Sequence, residues 1–91
     1  MKLTLKNGSI EFHLEEDCYI IDLVKVLETR KGTGTKLINK AEKYISKRKI
    51  KRIELYAEPQ DESIEKEDLL NFYRSLGYED NECEGDFSKQ L

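Results

Sequence analysis

The sequence predicts a mixed α/β fold, a single layer of sheet with helices packed on it, in the order ββ-β-α-β-α-β(β). Three observations carry this. Leu3 and Leu5, then Ile10, Phe12 and Leu14, alternate with polar residues on either side of Asn7-Gly8. A nearly unbroken apolar run over residues 18–27 ends in a glycine turn that leads into a helical pattern. A second helical pattern stops at Gly77, and a short closing segment holds Tyr78 and Phe87. Strands first, then strand, helix, strand and helix in turn, is the pattern of helices laid on a mixed sheet.

Each element has its own signal. Period-two alternation around an Asn-Gly pair indicates a β-hairpin over residues 2–14. Glu15-Glu16-Asp17 supplies the next turn. Residues 18–27, apolar apart from Asp22 and Lys25, read as a central strand covered on both faces. From Thr35 the period changes. Leu37, Ile38, Ala41, Tyr44 and Ile45 share one face of a helix that ends near Lys47. Lys40, Lys43, Lys47 and Arg48 face water, and the late ones suit a helix C-terminus. Residues 50–57 read as a buried strand, which Pro59 stops. Ser63 as N-cap with Lys66 at N3 opens the second helix, and Gly77 ends it in a left-handed cap. Its inner face is Leu69, Leu70, Phe72, Tyr73 and Leu76. Tyr78 and Phe87 anchor a terminal hairpin. With no repeat, low-complexity tract or linker, the expectation is one domain over residues 1–91.

Composition narrows the function classes. A chain of 91 residues with 37% apolar content has one modest core, and at this size burial reaches only about 60–65% of the unfolded surface. Charged residues make up 38% and the mean hydropathy is −0.74. The net charge is only −3 and the apolar positions are periodic, which indicates a folded chain. No apolar run approaches the roughly 20 residues of a membrane span. No signal-peptide pattern precedes the first strand, so the cytoplasm is the expected location. Cys18, Cys83 and His13 lack metal-ligand spacing, and no structural metal is expected. A pI near 5.2, with no aromatic-interleaved basic patch, argues against nucleic-acid binding.

The most informative stretch is Thr29-Arg30-Lys31-Gly32-Thr33-Gly34-Thr35-Lys36-Leu37-Ile38. Two glycines one residue apart let backbone N–H groups approach a ligand, and a helix start adds unpaired amides and a positive dipole end. Arg30, Lys31 and Lys36 add fixed charge. Strand, glycine turn and helix in this order suggest a pyrophosphate cradle. A dinucleotide fingerprint needs a glycine where Leu37 stands, and a nucleotide-triphosphate loop needs Lys where Thr35 stands. Neither pattern fits.

What the stretch resembles is motif A of the GNAT superfamily of N-acetyltransferases, Q/R-x-x-G-x-G/A, whose loop wraps the pyrophosphate of acetyl-coenzyme A. Aligning the glycines puts Thr29 at the Q/R position and Arg30 one place late. Asn71-Phe72-Tyr73-Arg74-Ser75-Leu76-Gly77-Tyr78 resembles the family's motif B, an aromatic-Tyr-x-x-x-Gly-aromatic sequence at a helix end. Asp86-Phe87-Ser88-Lys89-Gln90-Leu91 is similar to the short last strand of many members. The resemblance runs over about residues 20–91.

The resemblance implies an acetyl-coenzyme A-dependent N-acetyltransferase in which an acceptor amine attacks the thioester directly. It assigns the cofactor to Arg30, Lys31, Gly32, Thr33, Gly34 and Thr35. The pantetheine arm would lie along the central strand, on main-chain groups from Leu23 to Val26, with Val24 and Val26 as the named contacts. Tyr73 matches the tyrosine that donates to the coenzyme A sulfur; the alternative is that it simply packs in the Phe72/Leu76 face. Lys66 stands where the family has an Asn that touches the cofactor. For the general base, Glu28, Asp22, Glu54 and Glu58 are candidates, set against the reading that each is solvated or ion-paired. His13 reads as a surface residue, Cys18 as core and Cys83 as exposed. The acidic residues from Glu58 to Asp68 either attract a cationic amine or serve solubility.

Too few residues precede the central strand for more than two strands, whereas the family usually has a further strand and two helices there. The implied fold is a truncated one with an open acceptor side, which favours a protein or peptide amine. The alternative function is a non-catalytic acyl-coenzyme A-binding or regulatory module with the same fold. A monomer is the default, and a dimer burying the edge of the first hairpin is the alternative.

Overall fold

The computed structural model describes residues 1–26, 32–57, 65–83 and 85–91. In chain order the elements are β1 (Lys2–Leu5), β2 (Gly8–Leu14), β3 (Tyr19–Val26), α1 (Thr33–Ser46), β4 (Arg52–Tyr56), α2 (Lys66–Ser75), β5 (Glu79–Asp80) and β6 (Asp86–Gln90). This is the predicted order, with boundaries moved by one to three residues. The strands form a single sheet in the order β1-β2-β3-β4-β6-β5. β3 and β4 run parallel, joined through α1, and the remaining pairs are antiparallel.

Cross-strand partners lie on one face of a sheet, so the register identifies which face is covered. Phe12 pairs with Ile21, Ile21 with Leu55, and Leu55 with Phe87, giving a row of four buried side chains across the sheet. α1 lays Leu37, Ile38, Ala41 and Ile45 on this face, each 0% exposed. Burying a Leu or Ile fully contributes about 1.5–3 kcal/mol, so packing rather than propensity fixes this helix. α2 covers the same face. The Tyr73 ring lies 5.8 Å from that of Phe87, and the Arg74 guanidinium sits over Phe87 while pairing with Asp80. Lys89, in register with Ile53 on this face, donates to Glu42 of α1 and to the Leu76 carbonyl that follows α2. Tyr78 also donates to Glu42, at 2.9 Å. The principal extents are 37 × 33 × 18 Å. A helix is about 10–12 Å across with its side chains, so the short dimension holds a sheet and one helical layer.

The opposite face carries the alternate row: His13, Ile20, Glu54, Ser88 and Glu79. Among the described residues neither helix covers it. This corrects the expectation that the central strand is covered on both faces. Tyr19 and Ile21 are buried, but Asp22, Leu23 and Lys25 are exposed. Leu14 is 52% exposed although it alternates with Ile10 and Phe12. It closes β2 opposite Tyr19, at the end of the strand.

α2 also starts later than predicted. Its N-cap is Glu65 rather than Ser63, and no side chain caps it. Ser63 and Pro59 lie outside the described residues. Glu67 and Asp68 occupy the first turn, where the dipole favours acids. Gly77, at φ 93°, supplies the left-handed residue after the helix.

Candidate active site

The glycine turn opens α1. Gly32 is its N-cap at φ 72°, ψ 10°, a left-handed conformation that glycine adopts without strain. The Gly32 carbonyl accepts the Lys36 N–H at 3.0 Å, the first bond of the helix. Among the described residues no side chain caps the amides ahead of it, and no acid stands in the first turn. Thr33, Gly34 and Thr35 therefore offer backbone donors, beside the Lys36 charge, at the positive end of a 14-residue helix. A Cβ built on Gly32 meets nothing within 4 Å, so the space beside the turn is open. Arg30 and Lys31, assigned to the same cradle, lie outside the described residues, as does Thr29.

Two other elements support the turn. Gly8, at the start of β2, is paired with Val26. A Cβ there would lie 2.4 Å from the Lys25 carbonyl oxygen and 3.3 Å from the Thr33 side chain. The hairpin, the end of β3 and the start of α1 can meet only because residue 8 has no side chain. On the other side, Phe72 of α2 points its ring tip at Gly34.

Among the described residues the β3–β4 ladder has three rungs, Tyr19–Ile53, Ile20–Glu54 and Ile21–Leu55, although β3 continues to Val26. The register with β2 shifts at the same level: Phe12 faces Ile21 but Glu11 faces Leu23, which leaves Asp22 as an inserted residue. Such a bulge bends a strand, and here β3 stays with β2 after parting from β4. Val24 and Val26 are half-buried on this stretch, with side chains packed against the core. Leu23, 42% exposed, and Tyr56, 60% exposed, lie on the two diverging strands.

Tyr73 has a buried ring held by edge contacts with Phe72 at 5.2 Å and Tyr78 at 6.0 Å. Its hydroxyl has no protein partner among the described residues, yet no buried side-chain oxygen there is left unsatisfied, so the oxygen reaches the surface. Burial pushes its pKa up to about 12, and the phenol stays protonated.

The candidate bases are engaged. Asp22 accepts from His13 Nδ1 at 2.7 Å, while His13 Nε2 meets Glu15 at 2.7 Å. The hydrogen bond to Asp22, followed by that to Glu15, raises the His13 pKa. Glu54 accepts from the Cys18 thiol at 3.1 Å and pairs with Arg52 at 3.4 Å. Burial, then the Glu54 hydrogen bond, pushes the Cys18 thiol up to about 11. It is not a nucleophile at neutral pH. Glu28 and Glu58 lie outside the described residues. Asn71 accepts from Arg74 at 3.2 Å. Cys83 is exposed and both cysteines are free. Among the described residues no three His, Cys, Asp or Glu side chains cluster as metal ligands, and no helix is long and apolar enough to cross a membrane.

The sequence reading missed the close approach at Gly8 and the seat of Phe72 on Gly34. The Asn7-Gly8 pair was the available signal for the first, but it pointed to turn chemistry; for the second there was none.

No family model matches the sequence, and neither does any curated protein sequence. Solved structures do. The chain is similar to the anti-CRISPR protein AcrVA5, with 36% identity over 99% of this chain and 97% of that one and a TM-score of 0.90. It shares its fold with the PaiA N-acetyltransferase of Thermoplasma acidophilum, solved with coenzyme A, at 23% identity and TM-score 0.72. Arabidopsis thaliana Naa50, solved with the bisubstrate analogue CoA-Ac-MVNAL, is similar at 24% identity and TM-score 0.67. The last two comparisons each cover 93% of this chain, but only 54% of PaiA and 66% of Naa50. The likeness to a 36% identical protein over 99% of the chain shows that the chain belongs to the GNAT superfamily of N-acetyltransferases.

Proposed function

We propose that residues 1–91 act as one domain that transfers the acetyl group of acetyl-coenzyme A to an amine on a protein, and that this protein belongs to a CRISPR system. The carrying observation is the turn at Gly32, a left-handed N-cap that leaves the first amides of α1 uncapped beside open space. Phosphate is the anion such a helix start holds. Thr33, Gly34 and Thr35 would bind the pyrophosphate through their amides, with Arg30 and Lys31 adding charge. The pantetheine arm would run along β3 where it has parted from β4, beside the main chain of Val24 and Val26. PaiA and Naa50, which share the fold, were solved with coenzyme A and a coenzyme A analogue.

Transfer is direct. The amine nitrogen attacks the thioester carbon and gives up a proton to water, the carbon–sulfur bond breaks, and the thiolate leaves toward Tyr73. A phenol near 12 is a weaker acid than a thiol near 8.5, so Tyr73 stabilises the thiolate by donating a hydrogen bond rather than by giving up its proton. Cys18 takes no part as an acyl carrier, since its thiol is buried and committed to Glu54.

The sheet face that, among the described residues, neither helix covers supports a macromolecular acceptor. A small amine needs an enclosing pocket, whereas Leu23 and Tyr56 stand exposed beside the opening. The similarity to AcrVA5, an anti-CRISPR protein, supports a CRISPR component as that acceptor.

Calorimetry with acetyl-coenzyme A is the first test. No heat even at millimolar cofactor would sink the proposal. Gly32→Val is expected to abolish binding, because it forces a β-branched residue into the left-handed region and fills the open space. Acceptor identity is read by incubating CRISPR nucleases with protein and cofactor, then searching for acetylated lysines by mass spectrometry. Loss of nuclease activity without acetylation would refute the acceptor assignment.

A further inference from the structure

We infer that Phe72 is a positioning residue that holds the glycine turn at a fixed distance from Tyr73; this rests on the acetyl-coenzyme A reading above. A Cβ placed on Gly34 would lie 3.3 Å from Phe72 Cζ and 3.9 Å from both Cε atoms, so the ring tip occupies the space that a side chain at residue 34 would need. The same ring meets Tyr73 edge-on, with centroids 5.2 Å apart and planes at 67°. Tyr73 is held in turn by Tyr78 and Phe87. One side chain thus touches both ends of the reaction: the turn that takes the pyrophosphate and the phenol that meets the sulfur.

Those two ends belong to a single cofactor molecule. Its phosphates and its sulfur are joined by a covalent arm, so the turn and the hydroxyl must keep a set separation for both to bind at once. α1 and α2 are distant in sequence, with β4 between them. The Phe72 contact fixes the spacing directly. At residue 34, whose φ lies outside the left-handed region, a Cβ would press on the ring tip rather than strain the backbone.

A double-mutant cycle tests this with two readouts, coenzyme A affinity and kcat. Misplacement by a few tenths of an ångström is expected to make Gly34→Ala bind coenzyme A about tenfold more weakly and turn over several-fold more slowly. Phe72→Leu withdraws the ring tip and is expected to lower kcat several-fold, with affinity changed less than about threefold because the backbone donors remain. In the double variant the Cβ has room, so affinity should return to that of Phe72→Leu. Phe72→Met serves the same purpose if the leucine variant does not fold. Additive losses in the cycle, or a Phe72→Leu protein with wild-type kcat, would overturn the role of Phe72 while leaving the acetyltransferase reading intact. A wild-type protein that binds no coenzyme A would overturn both.

Discussion

Replacing Tyr73 with Phe removes one oxygen and leaves the ring in place. Tyr73 is 6% exposed, and its ring keeps its edge contacts with Phe72 and Tyr78 and its tilted contact with Phe87 after the change. The hydroxyl donates to no described protein group, so no hydrogen bond within the fold is lost. Stability should therefore change by less than about 0.5 kcal/mol. That corresponds to a Tm shift of no more than about 2–4 °C in a domain this small. Catalysis should change far more. A hydrogen bond to a charged acceptor is worth about 1.5–3 kcal/mol, which converts to a fall in kcat of roughly 10- to 150-fold. Because the phenol's pKa lies near 12, the wild-type and Tyr73→Phe rates should keep a constant ratio from about pH 7 to 9. The assay is thiol release from acetyl-coenzyme A with a saturating amine, paired with calorimetry to confirm unchanged cofactor affinity and a melt to confirm the fold. Equal kcat values would remove Tyr73 from the mechanism. A large loss of Tm with the loss of rate would mean that the hydroxyl serves the fold.

Three further outcomes follow from the geometry. Gly8→Ala drives a Cβ against the Lys25 carbonyl, a backbone atom that cannot turn aside; overpacking of this kind costs about 1–3 kcal/mol, and a urea midpoint equal to wild type would contradict it. Glu42→Ala leaves Tyr78, 3% exposed, without its acceptor and Lys89 with the Leu76 carbonyl alone; an expected loss of about 2 kcal/mol is checked by chemical denaturation, and a loss below about 0.5 kcal/mol would show that water replaces the carboxylate. His13 has a pKa raised above 6.5 by Asp22 and Glu15. The imidazolium therefore favours the folded state fully below that value and ceases to do so as pH rises through the raised pKa. The stability gap between wild type and His13→Asn should accordingly narrow toward alkaline pH, and a gap that widens would refute the pairing.

Element order was legible in the residues because the patterns are local. Leu37, Ile38, Ala41 and Ile45 announce α1 by spacing alone, and Asn7-Gly8 announces the first hairpin. The glycine turn was legible for the same reason: Gly32 sits between an apolar run and a helical period, and a left-handed N-cap is a property of a few consecutive dihedrals. The start of α2 was placed early because Ser63 is a good capping residue in isolation, while the structure begins the helix after Glu65.

What the tertiary structure decided is which faces meet. Apolar content in residues 18–27 could not show that both helices share one face, because coverage depends on where α2 returns after β4. Nor could it show that an inserted Asp22 marks the level at which β3 leaves β4, since a bulge exists only relative to a partner strand. The contact of Phe72 with Gly34 spans two helices whose sequences carry no mark of it. Local dihedral and periodic preferences are written into neighbouring residues, whereas the opening in the sheet, the bare face and the seat of Tyr73 arise only when segments far apart in the chain are packed together.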